Sequence, residues 1–167
     1  MEEFVADPYA KIRSSSVHLW LAISQLPQPW LREVLWQTGL SLNEEYASLA
    51  KWLDTLRVIE SQMGQQTLRN TTRAIFSTIA FPDRYQNVEP MLSVLDDLYH
   101  THHVGEIGHY IVVPGNAGQI IVRAFTPYPS ALEMGIFEGV CAHKSAVGAF
   151  NIRNLDEDTF EITRVAD

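Results

Sequence analysis

The feature that most constrains this fold is a change of hydrophobic periodicity near Gly105. Before that residue, apolar side chains recur every three or four positions in five segments, which predicts five amphipathic helices. After it, Ile107, His109, Ile111 and Val113 alternate with their neighbours, as in a strand with one buried face. The sequence therefore predicts a helical front followed by a sheet-rich back.

Turn and capping residues set the expected boundaries. Ser14–Ser16 predicts the start of the first helix, and Asn43–Glu45 predicts the start of the third. A hairpin turning at 114–118, a helix over 131–144 and a final hairpin over 150–165 complete the chain. The predicted order is ααααα-ββ-α-ββ, an α+β fold with an N-terminal helical layer on an antiparallel sheet. We expect a single domain over 1–167, helical over about 1–103 and hairpin–helix–hairpin over 104–167.

Composition narrows the class of protein. The chain has 167 residues, of which 46% are hydrophobic and 19% charged, which is typical of a globular domain. A net charge of -8 argues against a nucleic-acid partner, because phosphate binding requires clustered Lys and Arg. The single cysteine, Cys141, excludes an internal disulfide. The N-terminus is acidic and shows no signal-peptide pattern. No apolar stretch approaches the ~20 residues of a membrane span. We therefore expect a cytoplasmic protein.

Four of the six histidines lie between positions 100 and 109. His100, His102 and His103 could bind zinc, although a zinc site needs three or four converging ligands. One histidine of this cluster, or His18 on an apolar helix, could instead be the proximal ligand of a haem. The simpler interpretation is that these imidazoles end a helix, where they cap free carbonyl groups.

The sequence offers no standard catalytic constellation. Cys141 and His143 are two residues apart on a predicted helix and would point away from each other. Glu133 and Glu138 are five apart on the same helix, a poor spacing for an acid–base pair. Glycine positions form neither a phosphate-binding loop nor a dinucleotide fingerprint, and no G-x-S-x-G elbow occurs. We therefore expect a protein that is not an enzyme.

Two groups of residues carry a resemblance to a known family. They are, in chain order, Tyr99-His100-x-x-His103-x-Gly105-Glu106-Ile107-Gly108-His109-Tyr110, then Thr126-Pro127-Tyr128-Pro129, then Gly135-Ile136-x-x-Gly139. In this order and spacing the chain resembles bacterial 4-vinyl-reductase-type sensor domains, from about Trp52 onward. Their superfamily includes the haem–NO-binding sensors and the Golgi-transport subunits of the TRAPP complex. The resemblance implies a ligand cavity beneath the helices, a signalling role and often a helix-mediated homodimer, for which Gly135 and Gly139 could allow close approach.

The chain departs from that family at its cysteines. Relatives often have a cysteine directly after the Pro-Tyr-Pro turn, where this chain has Ser130, and further cysteines in the last hairpin, where it has none. A thiolate metal site is therefore not expected, and the motif does not identify a proximal haem histidine.

These observations predict a non-catalytic sensory domain that binds a small, mostly apolar molecule and acts through protein contacts. The residues expected to line the pocket or its mouth are Trp20, Trp52, Tyr99, His103, Tyr110, Tyr128 and Phe137. One alternative is a haem or zinc sensor that uses the cluster from His100 to His109. A second alternative is a ligand-free structural interaction module with a filled core.

Overall fold

A computed structural model describes residues 4–116 and 118–165. The elements are, in chain order, β1 (Lys11–Arg13), α1 (Ser14–Ser24), α2 (Gln28–Thr38), β2 (Tyr46–Ser48), α3 (Leu49–Met63), α4 (Gln65–Phe76), α5 (Val88–Ser93), α6 (Leu95–His102), β3 (His103–Val104), β4 (His109–Pro114), β5 (Gln119–Phe125), α7 (Ser130–Cys141), β6 (Phe150–Asn154) and β7 (Thr159–Arg164). The prediction of an α+β fold with both hairpins around a helix is confirmed.

The strands form two antiparallel sheets. The larger sheet has the order β4-β5-β7-β6, so two hairpins pair through β5 and β7. Val122, Phe160 and Ile162 are fully buried on one face of this sheet, and α7 covers that face. The ring of Phe137 on α7 lies 4.8 Å from that of Phe160. Helix α7 is thus the central layer, with the sheet on one side and α4 on the other.

Helices α4 and α7 approach closely because α7 has glycines at the contact. A β-carbon on Gly135 would lie 2.5 Å from the carbonyl oxygen of Arg69, and one on Gly139 would lie 2.5 Å from the β-carbon of Phe76. The Arg69 guanidinium also binds the Glu138 carboxylate across the same contact, with Nε donating at 2.8 Å. These glycines therefore pack against the chain's own helix, and they do not form the dimer surface that the sequence suggested.

The predicted start of the third helix at Asn43–Glu45 is wrong. Tyr46–Ser48 is a strand that pairs with β1, and α3 begins only after Ser48, whose hydroxyl accepts from the backbone N–H of Lys51 at 3.3 Å. β1 and β3 complete a small sheet of order β2-β1-β3. Strands of two or three residues are too short to show alternation, so this sheet could not be predicted from the hydrophobic pattern.

The predicted fifth helix is two helices. The chain leaves helical geometry at Val94, with φ -100° and ψ 2°, and this break separates α5 from α6. The hydroxyl of Ser14 also forms no cap, and it is buried without a partner. Ala117, in the predicted turn at 114–118, lies outside the described residues, as do the first three and last two residues of the predicted domain. No helix in the described part of the chain is long and apolar enough to cross a membrane.

Candidate functional site

A cavity of about 260 Å³ lies between the helical layer and the β4–α7 side of the sheet. Its lining is Ile12, Ser16, Leu19, Trp20, Trp52, Thr72, Ile75, Phe76, Ile79, Leu95, Leu98, Tyr99, His102, His103, Tyr110, Tyr128, Leu132 and Ile136. Leu19 is 47% exposed, while Leu98 and His102 are half-buried, so the cavity opens between α1 and α6. A concave, mostly apolar site with a few polar groups is typical of small-molecule pockets.

Six of the seven residues predicted to line a pocket do line this cavity. They come from three helices, from strands β3 and β4, and from the Pro-Tyr-Pro turn before α7: Trp20, Trp52, Tyr99, His103, Tyr110 and Tyr128. Phe137 is the exception, because it is fully buried between the sheet and α7 and contacts Phe160. Phe137 is on the α7 face that packs against the sheet. Helical periodicity alone could not show which apolar face of α7 packs on the sheet and which lines the cavity.

His103 and Tyr128 form a fixed hydrogen-bonded pair at the cavity wall. The carbonyl oxygen of Tyr99 lies 2.8 Å from Nδ1 of His103 and can only accept, so Nδ1 carries the proton. Nε2 is then an acceptor, and the Tyr128 hydroxyl donates to it at 2.7 Å. Burial lowers the pKa of His103 to about 4, so the ring is neutral. Both ring nitrogens of His103 are therefore engaged.

The other tyrosine hydroxyls at the cavity also have internal partners. Tyr99 donates to the carbonyl oxygen of Ile107 at 2.6 Å, and burial raises its pKa. The Tyr110 hydroxyl lies 2.7 and 2.9 Å from the two carboxylate oxygens of Glu133. Burial raises the pKa of Tyr128 as well, although the side chain of Trp52 acts against this. None of these hydroxyls is free to donate into the cavity.

Glu133 is a buried carboxyl group directly behind the cavity floor. Glu133 is 2% exposed, and its carboxylate oxygens accept hydrogen bonds from the hydroxyls of Tyr110 and Thr126. Burial raises the pKa of Glu133 to about 7, although these two hydrogen bonds favour the charged form. From the sequence, Glu133 was considered only as half of an acid–base pair with Glu138, but the Glu138 carboxylate binds Arg69.

His102 differs from its neighbours because one of its ring nitrogens is unengaged. Its Nδ1 lies 3.0 Å from the Ser16 hydroxyl, and Nε2 has no hydrogen-bond partner in the part of the chain that the structure describes. Partial burial lowers the pKa of His102, and the nearby positive charge of Arg13 lowers it further. A neutral imidazole that is held at one nitrogen and free at the other can bind a ligand at the cavity mouth.

The histidine cluster does not assemble into a metal site. His100 is exposed and its Nδ1 lies 2.9 Å from the carbonyl oxygen of Asp96, while His109 is an exposed residue at the start of β4. Across residues 4–116 and 118–165, no three His, Cys, Asp or Glu side chains are placed to hold a metal ion. The alternative of zinc at His100, His102 and His103 therefore has no converging ligand set. His100 and His102 end α6, as the interpretation of a helix terminus predicted.

Ser16 on α1 and the lining residues of α4 were not predicted from the sequence. Ser16 was interpreted only as a cap, and Thr72, Ile75 and Phe76 on α4 were not named as candidates for the lining. Thr72 accepts from the Trp20 indole N–H at 3.1 Å, which fixes that ring in the wall. A polar residue on the apolar face of α4 was the available signal, because such a residue needs a buried partner.

The fold is shared with haem proteins. No protein-family model matches the chain, and no curated protein matches it. Among solved structures, the chain is similar to an H-NOX protein from K. algicida, in the Fe(II) unliganded state of a mutant, with a TM-score of 0.63 and 14% identity. That match covers 93% of this chain and 98% of the other. The chain is also similar to a structure described by the effect of porphyrin distortion on haem redox potential, with a TM-score of 0.60 and 12% identity. That match covers 91% of this chain and 99% of the other.

Proposed function

We propose that this chain is a non-catalytic sensory domain that binds a small, mostly apolar molecule in the cavity between its helices and its sheet. The observation that carries the proposal is a preformed cavity with apolar walls whose tyrosine hydroxyls are all satisfied internally. Such a wall favours apolar surface, because a polar ligand would lose hydrogen bonds to water without replacing them. Burial also raises the pKa of the Cys141 thiol to about 12, which leaves it a poor nucleophile.

Filling the cavity is expected to abolish ligand binding. Leu98→Trp adds a large ring at the mouth, where Leu98 is only half-buried and the backbone need not move. Leu155→Trp makes the same change on the exposed turn between β6 and β7. With naphthalene as the probe, calorimetric titration should show binding to the wild type and to Leu155→Trp, and at least tenfold weaker binding to Leu98→Trp. Equal affinities of the two variants would contradict the assignment of the ligand to this cavity.

A haem is the second candidate ligand. The structures that share this fold include an H-NOX protein and a protein described by its haem redox potential. Nε2 of His102 is unengaged at the cavity, with Nδ1 held by Ser16, which is the arrangement an axial ligand requires. His103 cannot take that role without losing Tyr128 or the Tyr99 carbonyl.

The remaining lining fits a haem less well. No Lys or Arg lines the cavity, so its walls hold no cation for the two carboxylates of a haem, which would have to face the opening between α1 and α6. Titration with hemin separates the candidates. If haem is the ligand, a sharp Soret band appears with the wild type and with His103→Ala, and His102→Ala loses it. Without a saturable Soret band, the haem candidate is wrong.

The wider role rests on the family resemblance and on the architecture. A 4-vinyl-reductase-type sensor would change its contacts with a protein partner when the cavity is filled. In this chain the cavity wall connects to the sheet through Tyr110 and Glu133, and to α4 through Leu132 and Ile136 on α7. We place this role in the cytoplasm, on the composition of the chain. A homodimer no longer has support from Gly135 and Gly139.

A further inference from the structure

The tyrosine hydroxyls that line the cavity all donate to internal partners. Tyr99 donates to the Ile107 carbonyl, Tyr110 to Glu133 and Tyr128 to His103. The Trp20 indole N–H donates to Thr72. A ligand inside these walls therefore meets no free tyrosine hydrogen, and it could only donate to the oxygen lone pairs that the tyrosines keep.

His102 adds an unengaged ring nitrogen at the mouth. Its Nε2 has no hydrogen-bond partner among the described residues. His102 lines the cavity from the last turn of α6, next to Leu98 on the same helix. A bound molecule could therefore reach an unengaged ring nitrogen at the end of the cavity nearest to solvent.

The chemistry of this pair selects a hydroxyl group. If Ser16 donates to Nδ1, then Nε2 carries the proton and donates; if Nδ1 donates to Ser16, then Nε2 accepts. A ligand hydroxyl can donate or accept, so it satisfies either tautomer. A carbonyl oxygen would satisfy only the first tautomer, and an N–H group only the second.

The charges around the mouth disfavour an anion. No Lys or Arg lines the cavity, and the nearest guanidinium, that of Arg13, is occupied by Glu45 at 3.1 Å and by the carbonyl oxygen of Thr101 at 3.1 Å. Asp96 lies beside His100 on α6, with 3.5 Å between His100 Nδ1 and the Asp96 carboxylate. A carboxylate ligand would thus lose its hydration without gaining a free cation.

We infer that the ligand is a neutral, mostly apolar ring compound with a single hydroxyl group, which His102 binds through Nε2 while Ser16 holds Nδ1. This inference rests on the proposed function, because it names the class of molecule that the same cavity takes. His102 acts as the specificity-determining residue, because it contacts the polar group of the ligand. The aromatic walls select the size and shape of the ligand.

Three probes of nearly equal size test the inference: naphthalene, 2-naphthol and 2-naphthoate, titrated into the full chain at neutral pH. The wild type should bind 2-naphthol about fivefold more tightly than naphthalene, the gain of one hydrogen bond, and should bind 2-naphthoate most weakly. His102→Leu should bind the first two equally, with its folding checked by urea denaturation. His102→Gln, which keeps a hydrogen-bonding group, should restore part of the preference.

The outcomes separate the two proposals. If the wild type binds neither naphthalene nor 2-naphthol, the proposed function itself fails. If it binds both with equal affinity, or if the preference for 2-naphthol persists in His102→Leu, the inference is overturned while the ligand-binding function stands. Tightest binding of 2-naphthoate would also overturn it, because an anion would then be the preferred ligand.

Discussion

Gly135→Ala and Gly139→Ala are each expected to lower the free energy of unfolding by about 2 kcal/mol, and together by less than the sum, because one separation of the two helices relieves both contacts. A methyl group at either position would lie 2.5 Å from an atom of α4, so the two helices must separate. That separation would also disturb the hydrogen bonds between Arg69 and Glu138. The expected loss already includes the gain of roughly 1 kcal/mol that alanine brings to an unhindered helix position.

Urea denaturation measures this effect. Gly64→Ala is a comparison rather than a control: a β-carbon there would meet no atom within 4 Å, but φ +88° and ψ 157° are nearly confined to glycine, so this substitution should cost about 1–3 kcal/mol through backbone strain alone. If Gly135→Ala instead stabilises the protein, as it would on an exposed helix, the α4–α7 contact described above is wrong.

Glu133→Gln is expected to change how stability depends on pH. In the folded protein the pKa of Glu133 is raised to about 7 from 4.5, so between these values the folded state binds more protons than the unfolded state. Stability therefore falls as pH rises through this window, by roughly 3 kcal/mol in total. Glutamine resembles the protonated carboxyl group, so the variant should match the wild type near pH 4 and exceed its stability above pH 7.

His103 acts in the opposite direction and must be separated from Glu133. Its pKa is lowered to about 4 from 6.5, so the unfolded state binds more protons there and stability falls as pH decreases through that window. The two effects oppose each other where the windows overlap, which is why the difference between wild type and Glu133→Gln is the quantity to measure. A difference that does not change from pH 4 to pH 8 would show that Glu133 titrates alike in both states.

The sequence predicted the parts of the fold that are long and periodic. The helices around Trp20 and Trp52, and both hairpins, carry enough residues for their period to be visible. β1, β2 and β3 carry two or three residues each, and they exist because of pairing between distant parts of the chain. Capping rules failed at Asn43–Glu45 for the same reason, because the residues that follow it, Tyr46–Ser48, pair with β1 as a strand and α3 begins after them.

Four of the residues named as candidate lining lie in the segments that carry the family resemblance. Tyr99, His103, Tyr110 and Tyr128 converge at the cavity. What the sequence could not show is which hydrogen bonds form. His102 and His103 are adjacent and chemically identical, yet one has both nitrogens engaged and the other has one unengaged. That distinction depends on Ser16, 86 positions from His102 in the sequence.

The most direct test of ligand binding in this cavity uses the four tryptophans as internal probes. Trp20 and Trp52 line the cavity, whereas the Trp30 indole N–H donates to Gln62 outside it and Trp36 is 77% exposed. During a titration with 2-naphthol, NMR spectra of the ¹⁵N-labelled protein should show saturable shifts of the Trp20 and Trp52 indole signals, while those of Trp30 and Trp36 stay in place. Shifts confined to Trp30 or Trp36, or no saturable shift at all, would contradict the account.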